Sequence, residues 1–396
     1  MVPRPMRHLA ILLILGALGG ACRHAPPATA EAGEPLPGLP AEELARFYGG
    51  RALFDKVFTP EEGLGPLFNE NQCSACHTVP ASGGTTGFER IVRVTRYDEE
   101  SGSCDLLAGE GGENVRTQAT PLLKSHGVER QPMPEHGAAV GRFSPSALFG
   151  LGLVEAIPDE TILGGEDPDD ENGDGISGRA GHAADGRVAR FGRKAEFATI
   201  QDFTEGALRL EMGLTTPAAM NEGFVDGLDL PPEVDPAPEP EVSQGAVDLL
   251  ATFVRFLAAP SSAAPRSDAH SDSLRAGRRL FGVIGCAECH TPMLRTGPSE
   301  IEALDRRTVA LYSDLLLHDM GPELADVCGP TAAPGELRTE MLMGLRHRNR
   351  LLHDGRTSEL REAILAHGGE AQRARDAFAR LRWLHQELVV TFLRSL

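Results

Sequence analysis

One pentapeptide occurs twice in this chain, as Cys73-Ser74-Ala75-Cys76-His77 and as Cys286-Ala287-Glu288-Cys289-His290. Two thiols three positions apart can each form a thioether with a haem vinyl group, while the adjoining histidine swings under the ring as the proximal ligand of the iron. Moving any of these residues breaks that geometry. A thiol redox pair has the same spacing, but it normally sits on a βαβ pattern that this sequence lacks. The motifs therefore predict two covalently bound haem c groups, attached at Cys73 and Cys76 and at Cys286 and Cys289, with His77 and His290 on the irons.

A chain of 396 residues exceeds what one core usually fills, so two domains are expected, each owning one haem. Gly (45) and Pro (29) are abundant and aromatics make up only 5%. Much of the chain must then be loop, with the macrocycles standing in for core side chains. The expected fold is mainly α with extensive loops, in two cytochrome c-like haem domains. An excess of 57 Asp and Glu over 38 Lys and Arg argues against nucleic-acid binding and suits a basic redox partner.

Arg4 and Arg7 precede the apolar run from Leu9 to Leu18, which ends in Gly19-Gly20-Ala21-Cys22. That is a signal-peptide pattern, too short to span a membrane. Small residues before a cysteine resemble a bacterial lipoprotein cleavage site, with Cys22 as the acylated first residue; ordinary signal peptidase cleavage is the alternative. Both readings put the protein on the periplasmic side of a bacterial envelope, touching the membrane through a lipid anchor at most. Residues 1–22 are then the signal peptide, and the Pro, Ala and Glu-rich stretch 23–40 reads as a flexible tether. An oxidising compartment would permit a disulfide between Cys104 and Cys328, although free thiols fit equally well.

A partial repeat marks the two domains. Gly50-Arg51-Ala52-Leu53-Phe54 precedes the first haem motif and Gly277-Arg278-Arg279-Leu280-Phe281 the second, each closing an amphipathic stretch. Between the motifs, Gln201 to Met212 and Gln244 to Leu257 show helical periodicity. The stretch Pro260 to Pro265 is the best linker, which divides the chain into an N-terminal haem domain with insertions, 41–260, and a C-terminal cytochrome c-like domain, 266–396. In the latter, Ser358 can cap a helix on which Leu360, Ala363, Ile364 and His367 share one face. An inward histidine is ordinarily a hydrogen-bonded core residue, but here it shares a domain with a haem iron that has an open sixth position. Asp170, Asn172 and Asp174, followed by Gly175, fit the first half of a calcium loop. Position twelve is Gly181 rather than a bidentate glutamate, so an acidic surface turn is the competing reading.

From about Leu44 to its end the chain resembles the bacterial di-haem oxidoreductases of peroxidase type, relatives of the di-haem cytochrome c peroxidases and the methylamine-utilisation di-haem enzyme. The likeness is carried by Gly65-Pro66-Leu67-Phe68-Asn69, by the run from Ala147 to Pro158 (ALFGLGLVEAIP) and by Arg190-Phe191-Gly192-Arg193-Lys194-Ala195. In the C-terminal half it is carried by the run from Tyr312 to Gly321 (YSDLLLHDMG), by Leu352-His353-Asp354-Gly355-Arg356 and by the run from Glu362 to Glu370 (EAILAHGGE). The resemblance implies an exported peroxidase-like enzyme in which a small electron-donor protein or a quinone-linked donor feeds the C-terminal haem. Electrons then pass to the N-terminal haem, where peroxide or another small oxidant is reduced. It also implies that a second axial ligand lies at a set distance beyond His353, the position of His367, with Met320 as the competitor. Glu155 stands where the resemblance places the distal acid; the residues alone leave it a surface glutamate at the end of a short apolar helix. His136 is a further distal candidate. Arg193 stands where the family often carries tryptophan, so a tryptophan relay would need Trp383 between the rings, with Tyr48, Tyr97 and Tyr312 as the phenols that could substitute. The alternative function is a non-enzymatic electron-transfer di-haem lipoprotein.

Overall fold

The structure is a computed structural model that describes residues 30–87, 91–221 and 232–396. The expected signal peptide, including Cys22, lies outside the described residues. Among them the helices are α1 (Ala41–Phe54), α2 (Pro121–Ser125), α3 (Leu151–Glu155), α4 (Asp159–Leu163), α5 (Ile200–Met212), α6 (Gln244–Phe256), α7 (Asp268–Val283), α8 (Leu360–Leu365), α9 (Gln372–Arg380) and α10 (Trp383–Leu393). No helix among the described residues is long and apolar enough to cross a membrane.

The repeated Gly-Arg-x-Leu-Phe sequence is one packing device used twice. A Cβ on Gly50 would lie 2.0 Å from the Leu249 carbonyl oxygen, and one on Gly277 would lie 2.1 Å from that of Leu388. Only glycine therefore lets α1 cross α6, and α7 cross α10, at such close range. One turn later the phenylalanine reaches the histidine of the adjoining motif: ring centres are 6.2 Å apart for Phe54 and His77 and 6.3 Å for Phe281 and His290. Phe54 also packs on Phe253 of α6, and Phe281 on Phe392 of α10.

Side-chain caps start α5, α6 and α7. Thr199, Ser243 and Ser267 accept from the amides of Asp202, Ala246 and His270, satisfying donors that a helix start leaves free. The main core gathers Phe47 and Phe54 of α1, Val154 of α3 and Val247, Leu250 and Phe253 of α6. Leu304, Leu311, Leu315 and Met341, all beyond the 260–265 linker, join that same core. A second core holds Phe281, Phe378, Val389 and Phe392.

The expectation of a mainly α chain is not confirmed, since the structure is 32% helical. Between the first haem motif and α3 the chain forms a three-stranded antiparallel sheet, ordered Ser103–Asp105, Ile91–Asp98, Ala139–Phe143. Short two-stranded pairs and loops fill most of the rest, as the glycine and proline content favours. Cys104 and Cys328 form a disulfide with Cα atoms 5.8 Å apart, tying this sheet to the C-terminal half.

Two local expectations are corrected. The proposed tether is anchored from Ala30 onward: Ala30 bridges to Pro260, Pro35 to Leu257, and the Leu36 amide donates to the Phe256 carbonyl. Leu36 is buried, which gives this polar stretch one apolar anchor. Ser358 does not cap α8, whose N-cap is Glu359; the Thr357 hydroxyl instead accepts the Glu359 amide and donates to Glu362. The helix ends at Leu365, and His367 lies just beyond it.

Candidate functional site

Three of the predicted ligand histidines share one arrangement. Nδ1 lies 3.2 Å from the Gly84 carbonyl oxygen in His77, 2.9 Å from that of Tyr312 in His290 and 2.8 Å from that of Ala363 in His367. A carbonyl can only accept, so Nδ1 carries the proton in each ring and Nε2 keeps its lone pair. Metal-binding histidines are commonly held in this way by a partner behind the ring. Burial disfavours the charged ring in all three and holds His290 down to about 4.

His290 and His367 face each other with ring centres 6.5 Å apart. Metal–imidazole bonds of about 2 Å on opposite sides of one ion put ring centres roughly 6 Å apart. The structure therefore brings His367 to the C-terminal motif from 77 positions away. Neither Cys-x-x-Cys pair forms a disulfide. Burial pushes the Cys73 and Cys286 thiols up to about 12.

A cavity opens at the first motif, walled by Cys73, Cys76 and His77, by Phe54 of α1, by Phe203 and Ala207 of α5, and by Leu250 and Val254 of α6. Among the described residues His77 is the sole histidine on this wall, and Met212 and Met341 bring its sulfurs besides the cysteines. An apolar slot with two thiols and one neutral imidazole at its edge suits a flat apolar macrocycle. The residues at both motifs thus fit the haem groups that their spacing predicts.

A family model described as "Di-haem oxidoreductase, putative peroxidase" matches residues 126–396. The chain belongs to the di-haem oxidoreductase family. It is a peroxidase-like oxidoreductase, and haem is its expected cofactor. The matched range contains the second motif and not the first. Three solved structures are also similar at low identity. Hydrazine synthase of Kuenenia stuttgartiensis shares 13% identity, covering 99% of this chain and 100% of that one, at a TM-score of 0.44. A MauG-like protein associated with microbial copper homeostasis shares 12%, covering 94% of each, at 0.40. The diheme peroxidase BthA from Burkholderia thailandensis E264 shares 15%, covering 89% and 86%, at 0.43. At such scores no residue correspondence follows. No curated protein matches the chain.

In this di-haem oxidoreductase Glu155 is not on the cavity wall. Nε of Arg255 donates to its Oε2 at 2.6 Å, and the Ile200 amide donates to its Oε1 at 2.8 Å, so its carboxylate joins α3, α5 and α6. Among the described residues three carboxylates line the cavity, Glu70, Glu196 and Glu211, and Glu196 is held by Arg93. Asn69 Nδ2 donates to Glu211 at 2.8 Å, and burial raises the Glu211 carboxyl above the ordinary range despite that bond. Glu211 is not among the candidates that the motifs suggest, although it falls one turn beyond Ala207 and Leu208 on α5, a charge on an otherwise apolar stripe.

The remaining candidates separate. His136 is largely exposed and pairs with Glu110 at 2.8 Å. Trp383 is 64% exposed, so it does not stand between the two sites. Tyr312 is buried and lies directly behind His290, whereas Tyr48 is exposed and Tyr97 sits in the sheet. In the acidic loop, Asp170, Asn172 and Asp174 accept from the amides of Gly175, Asp174 and Ile176. No three carboxylates of that loop gather within 4.8 Å, as Asp235, Glu239 and Glu241 do elsewhere among the described residues.

His318 is a buried residue of the run from Tyr312 to Gly321 to which the sequence assigns no role. Its Nε2 lies 2.9 Å from Asp314 Oδ2 and its Nδ1 2.7 Å from Glu370 Oε2. Burial alone would depress the imidazole, but Asp314, Cys289 and Glu370 outweigh it and push it up to about 12. Glu370 also accepts from the amide and hydroxyl of Ser177, which clips the end of the acidic loop to the C-terminal motif.

Proposed function

We propose that this di-haem oxidoreductase is exported, carries both haems as thioether-linked haem c, and reduces peroxide or a comparable small oxidant in the cavity beside His77. The asymmetry between the two sites carries the reading. At the C-terminal motif two imidazoles oppose each other, leaving no place for a substrate. Beside His77 the wall is open and mostly apolar. Bis-histidine ligation favours a low potential and electron transfer. Electrons are therefore assigned to enter at the haem of Cys286 and Cys289, from a small donor protein or a quinone-linked donor, and to move to the haem of Cys73 and Cys76.

A hydrogen-bonded connection runs between the two sites. His290 bonds the Tyr312 carbonyl; the adjacent Ser313 hydroxyl donates to the Thr339 carbonyl at 2.7 Å; Arg338 Nη1 donates to the same oxygen at 3.1 Å. Arg338 reaches the cavity wall.

Haem supplies the redox chemistry when bound. The chain holds it through Cys73, Cys76 and His77, excludes water with Phe54, Phe203 and Val254, and offers Glu211 to give and take the proton that peroxide cleavage requires. We assign this role to Glu211 rather than Glu155, whose oxygens are held by Arg255 and Ile200. Lipid attachment at Cys22 and calcium in the acidic loop belong to the same reading, tested by mass spectrometry of the mature protein and by metal analysis.

Electron paramagnetic resonance of the resting and half-reduced protein tests the central reading. One high-spin ferric signal that responds to peroxide, beside one low-spin signal, is expected; two low-spin haems at every redox level would sink it.

A further inference from the structure

At one wall of the cavity three arginines, Arg193, Arg338 and Arg348, share a single carboxylate, Glu340. Arg193 Nη1 lies 2.7 Å and Arg338 Nη2 3.5 Å from its Oε2, and Arg348 Nη1 lies 2.5 Å from its Oε1. Their other donors reach only neutral carbonyls: Arg193 that of Ser144, Arg338 those of Gly192 and Thr339, and Arg348 that of Met341. Nε of Arg193 and Nε of Arg348 are buried without a partner. Asp314 also acts on Arg338, but its carboxylate is bonded to His318. Arg93, on the same cavity wall, is already matched by Glu196.

Three guanidinium groups share one directly bonded carboxylate, with Asp314 acting on Arg338 as well, and the Arg338 side chain is only 4% exposed. Arginine does not shed its proton, and an unpaired buried ion costs several kcal/mol. The neighbours register the imbalance. Burial alone would raise the Glu340 carboxyl, yet Arg193, Arg348 and Arg338 outweigh it and hold it far below the ordinary carboxylate range. Burial lowers Arg338, and its two like-charged neighbours add to the effect against the pull of Glu340. Arg193 and Arg338 both line the cavity that contains Cys73, Cys76 and His77.

We propose that Arg193 and Arg338 form an anion subsite on this cavity that takes carboxylate groups, supplied either by the acid side arms of the haem attached at Cys73 and Cys76 or by a small dissolved carboxylate. The proposal rests on the reading that this cavity holds that haem. A planar guanidinium fork matches a carboxylate in two parallel hydrogen bonds, which would also satisfy the donors that Glu340 does not reach.

The test uses the holoprotein, with mass spectrometry first establishing two haem adducts; a missing adduct at the first motif would remove the haem reading itself. Midpoint potentials of both haems are then measured for the wild type, Arg193→Gln, Arg338→Gln and Arg193→Lys, each with and without acetate. If the side arms occupy the subsite, either Gln variant shifts one haem to lower potential and leaves the other in place, Arg193→Lys stays near the wild type, and acetate does nothing. If a dissolved anion occupies it, acetate moves the wild-type potential and visible spectrum saturably and fails to do so in Arg193→Gln. Should the Gln variants fail to fold, resonance Raman bands of the haem carboxylates decide, because Arg193→Lys must shift them relative to the wild type. Unmoved potentials in folded Gln variants, unmoved Raman bands in Arg193→Lys and no acetate response would overturn the proposal.

Discussion

Glu211 and Glu155 differ in what holds their carboxylates. Glu211 lines the cavity and has its carboxyl raised by burial, while Glu155 ties three helices together through Arg255 and the Ile200 amide. Glu211→Gln should slow peroxide turnover by roughly 10²- to 10⁴-fold with both haem spectra intact, and Glu155→Gln by less than about tenfold. Because the Glu211 carboxyl is raised, it stays protonated above the usual glutamate range and can take the peroxide proton only as pH climbs through the raised value. A steady-state pH profile should therefore show a rising limb that Glu211→Gln lacks, and an unchanged limb would exclude Glu211. At the other site His367→Ala should convert the C-terminal haem from low to high spin; a spectrum that stays low-spin would leave that iron to another ligand.

At the scale of elements, the loops after the second motif depend on an ion triad. His318, between Asp314 and Glu370, joins the Leu317–Asp319 strand to the segment after His367, and Glu370 carries the connection on to Ser177. His318 is raised in the folded protein by Asp314 and Glu370, so its stabilisation is complete below the unfolded histidine value of about 6.5 and fades as pH rises toward its raised folded value. Breaking a buried pair of this kind costs roughly 3–5 kcal/mol. Denaturant titrations of His318→Gln should accordingly show its full deficit at pH 6 and a smaller one at pH 9; a deficit independent of pH would mean that the imidazole is neutral in the native state.

For the whole molecule, the covalent tie is the disulfide between Cys104 and Cys328, which are 224 positions apart. It pins the inserted sheet to the loop that holds Asp326, where buried Lys194 and His353 meet the same carboxylate. The cores are shared in the same sense, since Leu311, Leu315 and Met341 leave the C-terminal half to pack with α1 and α6. Replacing both cysteines by serine should cost roughly 2–5 kcal/mol, read from chemical unfolding with both haems in place. A loss below about 0.5 kcal/mol would show that packing alone holds the two halves together.

Short-range spacing makes part of this protein legible from its residues alone. The Cys-x-x-Cys-His geometry is closed within five residues, and the capping threonine and serines of α5, α6 and α7 act within three. Even the glycine repeat is visible in the sequence, although its reason, a helix crossing with no room for a Cβ, is not. Helical phase and family resemblance both point to His367, yet only the folded chain brings it opposite His290, from beyond the end of α8 rather than on it. Glu155 sits in a sequence block expected to carry the distal acid, but the long-range pairing with Arg255 decides where its charge goes. Arg193 and Glu340 are 147 positions apart, and the excess of arginine around that carboxylate exists only once their two segments are packed together. Spacing specifies bonds that close along the chain; burial decides which charges are left without a partner, because that depends on every element packed against them.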